Sequence, residues 1–209
     1  LHTSLGPTSG SRRTDADRRT DAVFRQTGVI SVGTLEQLLD LGRLLADQPA
    51  PRGRGVAVIG NSHGAPPPAA DACAGAGLDL VPLRHPGSTA RDRANPCDLT
   101  PAADAAAFEQ AIESAATDPL VHSVIVIDAS PALEPSPDVA RVVLAASQQW
   151  SAITFAATMV GAERAARLVD AGSGTSVPIF PFPEHAASAI GRLAGVREWR
   201  TTPRVHGDE

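Results

Sequence analysis

From residue 55 onward, apolar positions gather in short, nearly unbroken runs, with stretches of helical period between them. Val56 to Ile59, Leu78 to Leu83, Ser123 to Ile127, Ile153 to Met159 and Val177 to Phe180 read as strands. Pro66 to Ala76, Pro101 to Ala116 with Thr100 as cap, Asp138 to Trp150, Ala162 to Ala171 and Glu184 to Ala194 read as helices. Strands that are apolar at every position, not every second one, belong to a parallel sheet covered on both faces. Five successive β-α units predict a doubly wound α/β domain, flavodoxin-like, with strand order 2-1-3-4-5.

Upstream the pattern is looser. Residues 1–15 read as loop, Asp17 to Gln26 as a short helix stopped by Gly28, and Val29 to Val32 as a short strand. Thr34 followed by Gln37 fits a capping box, and Leu35, Leu38, Leu39, Gly42 and Leu45 follow at helical spacing. Pro49 and Pro51 should end that helix near Asp47. The proline- and glycine-rich stretch over 48–55 marks a boundary: a β-α appendage over 1–50, a domain over 51–200 and a tail over 201–209.

Composition narrows the chemistry. A net charge of −5 and 3% aromatic residues argue against a nucleic-acid surface, which needs a basic stripe or stacking platforms. All 18 basic residues are arginine, so no P-loop lysine or Schiff-base lysine exists here, and tyrosine is absent too. No apolar run approaches the ~18–20 residues of a membrane span, and no basic-then-apolar leader opens the chain, so the expected location is cytoplasmic, away from membranes. The only methionine is Met159 and the chain starts Leu1-His2-Thr3, as in a fragment or processed chain. Cys73 and Cys97 lack CxxC spacing and are expected to be packed free thiols of a reducing compartment.

In a doubly wound sheet, ligands sit beyond the carboxyl ends of the strands, where strand order reverses. The loop Asn61, Ser62, His63, Gly64, Ala65 and the loop Asp128, Ala129, Ser130 should meet there, with Asn95 to Thr100 opening on the same edge. A helix N-terminus offers free N–H groups to an anion, but Pro66, Pro67 and Pro68 remove three of them. His63 is the histidine best placed for chemistry, with a solvent-facing loop residue as the plainer alternative. Asp128 is a ligand contact or a turn residue. Asn95 and Asp98 are ligand contacts or ordinary turn chemistry, the latter favoured. The remaining histidines have no ligating neighbours at metal spacing, so no metal site is expected.

Several ordered strings resemble the NDP-forming acyl-CoA synthetases, relatives of succinyl-CoA synthetase: Phe24-Arg25-Gln26-Thr27-Gly28-Val29, Pro51-Arg52-Gly53-Arg54-Gly55-Val56, Asn95-Pro96-Cys97-Asp98-Leu99-Thr100 and Val177-Pro178-Ile179-Phe180-Pro181. The likeness spans residues 21–200. It implies that residues 1–50 are the tail of one flavodoxin-like domain and 51–200 a second, within an enzyme converting acid, CoA and NTP to acyl-CoA, NDP and phosphate. A mobile phosphohistidine carries the phosphoryl group in that family; Leu1-His2-Thr3 resembles its string, which makes His2 the candidate. The implied partners are a Rossmann-like CoA-binding domain and an ATP-grasp domain or subunit, with CoA, ATP or ADP, and Mg bound by the parent enzyme and none by this domain alone. The prolines after Ala65 and Ser4 in place of the family's glycine also suit a degenerate CoA-responsive module of a larger protein, such as an acetyltransferase fusion.

Overall fold

The computed structural model describes residues 2–3, 19, 22–24, 26–62, 66–84, 93–129, 136–159 and 167–201. Three strands form the centre: β3 (Gly55–Gly60), β8 (Ser123–Asp128) and β9 (Thr154–Met159), each buried at all six positions. They pair in parallel, β3 with β8 and β8 with β9. On the free edge of β3, β4 (Asp79–Leu80) pairs at Gly55 and Val56, while β7 (Cys97–Asp98) pairs at Ile59 and Gly60, completing five parallel strands.

Alternate residues of the strands feed two apolar clusters. Ala57, Ile59, Val124, Val126, Phe155 and Ala157 meet α3 (Ala105–Ala116) and α4 (Pro137–Gln149) through Phe108, Ile112, Val139 and Val143. Val56, Val58, Ile125, Ile127 and Ala156 meet α1 (Leu35–Asp47), α2 (Pro66–Gly75) and α5 (Pro183–Thr201) through Leu41, Leu44, Cys73, Ile190 and Leu193. Helices on both faces explain why the strands carry no polar alternation.

Upstream, β1 (His2–Thr3) pairs in parallel with β2 (Ser31–Val32), and helical residues occur at 19, 22–24 and 26–27 before Gly28 turns the chain at φ 74°. Thr34 caps α1 by accepting from the Gln37 N–H, and the Gln37 side chain accepts from Gly33. The leucines read from spacing lie mostly outward: Leu35, Leu39 and Leu45 are exposed, whereas Asp40, Leu41 and Leu44 are buried. The segment after α1 is held to the sheet. Gln48 donates to Ser147 Oγ and Ser176 O and accepts from the Phe155 N–H, and Thr154 Oγ1 donates to Pro49 O.

Four expected elements differ. The strand over 78–83 is split at Pro82: Asp79–Leu80 joins the sheet, but β5 (Leu83–Arg84) pairs antiparallel with β6 (Arg93–Ala94). Helix α3 begins four residues later than expected, capped by Asp104 through the Ala107 N–H, because Thr100 adopts φ 67° and accepts from Ala103 in a turn. The helix expected over 162–171 does not extend to its end: Arg167–Val169 is a strand (β10), antiparallel to Ser176–Pro178 (β11), while 160–166 lie outside the described residues. Asp170 directs that hairpin by accepting from Gly172 N and Ser173 Oγ, with Gly174 at φ 73°. The strand expected over 177–180 therefore spends Ser176–Pro178 on β10 and meets β9 at one parallel bridge, Ala157 with Ile179, plus Phe180 N–H to Ala157 O.

Candidate functional site

The carboxyl ends of β3 and β8 lie side by side, and the residues following them interlock. Asn61 is 2% exposed and Asp128 1%. Asn61 Nδ2 donates to Asp128 Oδ1 at 3.0 Å, and Asn61 Oδ1 accepts from the Ala129 N–H at 2.7 Å. Asp128 Oδ2 accepts from the N–H of Ser136, the N-cap of α4, at 3.4 Å. Both side chains face inward and tie one crossover loop to the other. Ser62, half-buried, continues from Asn61 toward α2. His63, Gly64, Ala65 and Ser130 lie outside the described residues.

Asn95 does something that motif reading cannot show. Its Nδ2 donates to Val56 O at 2.7 Å and Val81 O at 2.8 Å, and its Oδ1 accepts from the Val58 N–H at 3.0 Å. The amide thus covers the stretch of β3 edge between the pairings to β4 and to β7. Unpaired buried backbone groups are costly, so this side chain replaces a missing strand. The Asn95–Pro96 peptide is cis, and Asp98 accepts from the Thr100 N–H, closing the turn. His2 lies in β1 in register with Ser31, placed by main-chain pairing within residues 1–50.

Two buried thiols border these elements. Burial pushes Cys73 up to about 12; burial, and secondarily the Asp98 charge, pushes Cys97 up to about 12. Both are free. A separate cleft of about 270 Å³ opens between α1 and α5, lined by Glu36, Asp40, Glu184, His185, Ser188 and Arg192. Within it His185 Nδ1 lies 2.8 Å from buried Asp40 Oδ2. Sequence reading missed that pair because 145 positions separate its members. Among the described residues no group of three or more His, Cys, Asp or Glu side chains is arranged to hold a metal ion, and no helix is long and apolar enough to cross a membrane.

No protein-family model matches the chain. Two curated proteins do. It is 28% identical over 194 residues to the acetate–CoA ligase (ADP-forming) I subunit alpha of Pyrococcus furiosus, covering 88% of this chain and 42% of that protein. It is 24% identical over 194 residues to the 4-hydroxybutyrate–CoA ligase (ADP-forming) of Nitrosopumilus maritimus, covering 88% and 27%. The chain is similar to ADP-forming CoA ligases. It spans less than half the length of these relatives. The fold agrees: the dinucleotide-forming acetyl-coenzyme A synthetase 1 of Ca. Korarchaeum cryptofilum, solved with phosphate and ADP, superposes with a TM-score of 0.73 at 23% identity, over 95% of this chain and 45% of that one. The ligase-like stretch thus covers most of the chain.

Proposed function

We propose that this chain is part of an NDP-forming acyl-CoA synthetase, converting acid, CoA and NTP to acyl-CoA, NDP and phosphate, and that its sheet domain docks the phosphohistidine loop. The observation that carries this reading is the likeness to two ADP-forming ligases along 88% of the chain. The meeting of the loops after β3 and β8 through Asn61, Asp128 and Ala129 supports it, since an anion docks where two such loops converge beyond a parallel sheet.

In this reading residues 1–50 complete a preceding flavodoxin-like domain, 51–200 form the docking domain and 201–209 are a tail. His2 carries the phosphoryl group. Ser62, His63, Gly64, Ala65 and Ser130 face the anion, and Asn61, Asn95, Asp98 and Asp128 build the edge behind them. A Rossmann-like domain holding CoA and an ATP-grasp domain or subunit holding nucleotide and Mg supply the remaining chemistry. The two free thiols fit a reducing, cytoplasmic setting.

The test is turnover by the full-length gene product with acid, CoA and ATP. Acyl-CoA and ADP should form, and His2→Ala should abolish both turnover and the acid-labile phosphoprotein. The isolated 209 residues should show no ligase activity. Normal turnover by His2→Ala would remove His2 from the mechanism, and acyl-CoA synthesis by the isolated chain would overturn the division of labour. One observation favours a second reading: α2 starts at Pro66, so its first three residues offer no N–H donor to a phosphate. A non-catalytic CoA-responsive module would bind acyl-CoA in calorimetry without turnover, and detection of phosphohistidine would exclude it.

A further inference from the structure

We infer that Asn61 and Asp128 form a reciprocal clamp that positions both crossover loops, so that each residue acts on an anion through the other's loop and not by touching it. The inference deepens the docking role proposed above and rests on it for the identity of the ligand.

The pattern of bonds carries the argument. Asn61 is the first residue beyond β3 and Asp128 the last of β8, and both are almost wholly buried. The Asn61 amide donates from Nδ2 to Asp128 Oδ1 and accepts at Oδ1 from the main-chain N–H of Ala129, the first residue of the opposite loop. Asp128 uses its second oxygen on Ser136, where that loop ends and α4 begins. The Asn61 N–H meanwhile donates to Ile127 O at 3.3 Å, extending the β3–β8 ladder by one bond. Moving either side chain therefore moves the start of one loop and both ends of the other. The three prolines of α2 raise the importance of this clamp. With the first-turn donors absent, an anion depends more on the Ser62 amide, which directly follows the clamped Asn61.

The arrangement permits an exchange test in the 209-residue chain. In Asn61→Asp two carboxylates face each other and the donor to Asp128 is lost. In Asp128→Asn the new amide cannot accept from both Asn61 and Ser136. In the double exchange, Asp at 61 accepts from Ala129 and from the new amide at 128, whose oxygen accepts from Ser136. Each of the three named bonds is restored with the roles reversed.

Two readouts are followed: hydrogen exchange of the Ala129 amide, and binding of inorganic phosphate by chemical-shift titration of the Ser62 amide. Each single variant should speed Ala129 exchange and weaken phosphate binding, each by about tenfold for the loss of one buried bond, and the double exchange should return both to within about threefold of wild type. Melting temperature and near-ultraviolet dichroism report whether each variant folds. If a single variant does not fold, recovery of folding by the double exchange is the supporting result. Folded single variants with unchanged Ala129 exchange, or a folded double variant without recovery, would overturn the clamp. Wild-type protein that binds no phosphate while Ala129 follows the expected pattern would leave the clamp standing and remove the docking role instead.

Discussion

Asn95 shows how one side chain substitutes for backbone. Its amide donates to Val81 O and to Val56 O, the latter also accepting from the Val81 N–H, and accepts from the Val58 N–H, on the stretch of β3 edge between β4 and β7. Asn95→Ala should therefore cost about 3 kcal/mol in urea unfolding, because Val81 O and the Val58 N–H lose this partner while Val56 O keeps the Val81 N–H. Asn95→Asp should cost at least as much, since a carboxylate would face two carbonyls. A loss below about 1 kcal/mol for Asn95→Ala would mean that water or a shifted strand takes over. The cysteines permit an unusually clean alkaline measurement, because the chain has no lysine or tyrosine to titrate in the same range. Both thiols titrate near 9.0 when unfolded and near 12 when folded. Between those values the unfolded state holds fewer protons, so stability is full below about pH 9 and falls as pH rises toward 12. Each thiol should contribute a slope of up to about 1.4 kcal/mol per pH unit. A flat profile from pH 9 to 11, or rapid reaction of either thiol with a disulfide reagent at pH 8 in the native protein, would contradict that burial.

At the scale of elements, helix starts are decided by turn geometry as much as by cap chemistry. Thr100-Pro101 is a reasonable cap and first turn on paper, yet Thr100 sits at φ 67° and Asp104 takes the role. Asp104→Ala should thus cost about 1 kcal/mol, while Thr100→Ala should stay within about 0.5 kcal/mol. The reverse ranking would restore the earlier start. Gly42 offers a gain: it lies inside α1 with nothing within 4 Å of where a Cβ would project. Gly42→Ala should stabilise the protein by about 0.5–1 kcal/mol in the same assay, and a net loss would refute the open surface. The three central strands were legible because burial on both faces leaves a continuous apolar signature. The strand at Arg167–Val169 and its antiparallel pairing with Ser176–Pro178 were not, because the hairpin turned by Asp170 and Gly174 competes with the helical period there and still buries Leu168 and Val177. The loops of the candidate site could be placed from strand order reversal alone, whereas the bonds of Asn61, Asn95 and His185 reach across 14 to 145 positions and leave no local trace.

Across the whole molecule, α5 adds a second attachment of the first 50 residues to the sheet, beside that made by Asp47, Gln48 and Pro49. One face packs on α2, where a Cβ on Gly191 would lie 2.4 Å from Ala76 O, and Ile190 and Leu193 enter the core. Glu198 accepts from Arg54, and further contacts run to the residues before 51. Arg192 donates from Nη1 to Ser31 O at 2.7 Å and from Nη2 to Gln37 Oε1 at 3.1 Å, His185 meets Asp40, and the Trp199 ring lies on Gly28. Ser31 is in register with His2, so α5 holds the strand against which the candidate phosphohistidine segment pairs. Gly28 is the sensitive point of this attachment, because its φ of 74° disfavours any side chain and a Cβ there would lie 2.3 Å from Trp199. Gly28→Ala should therefore loosen residues 19–32 locally. Trypsin, which can cut this chain only at arginine, should cleave after Arg19 or Arg25 at least several-fold faster than in wild type, whereas cleavage at Arg141 should be unchanged. Adding Trp199→Ala should remove the clash but not the φ strain, giving partial recovery. Uniform acceleration at all sites would indicate global unfolding, and no acceleration at Arg19 or Arg25 would show that the appendage is held by Arg192 and Asp40 without the glycine turn.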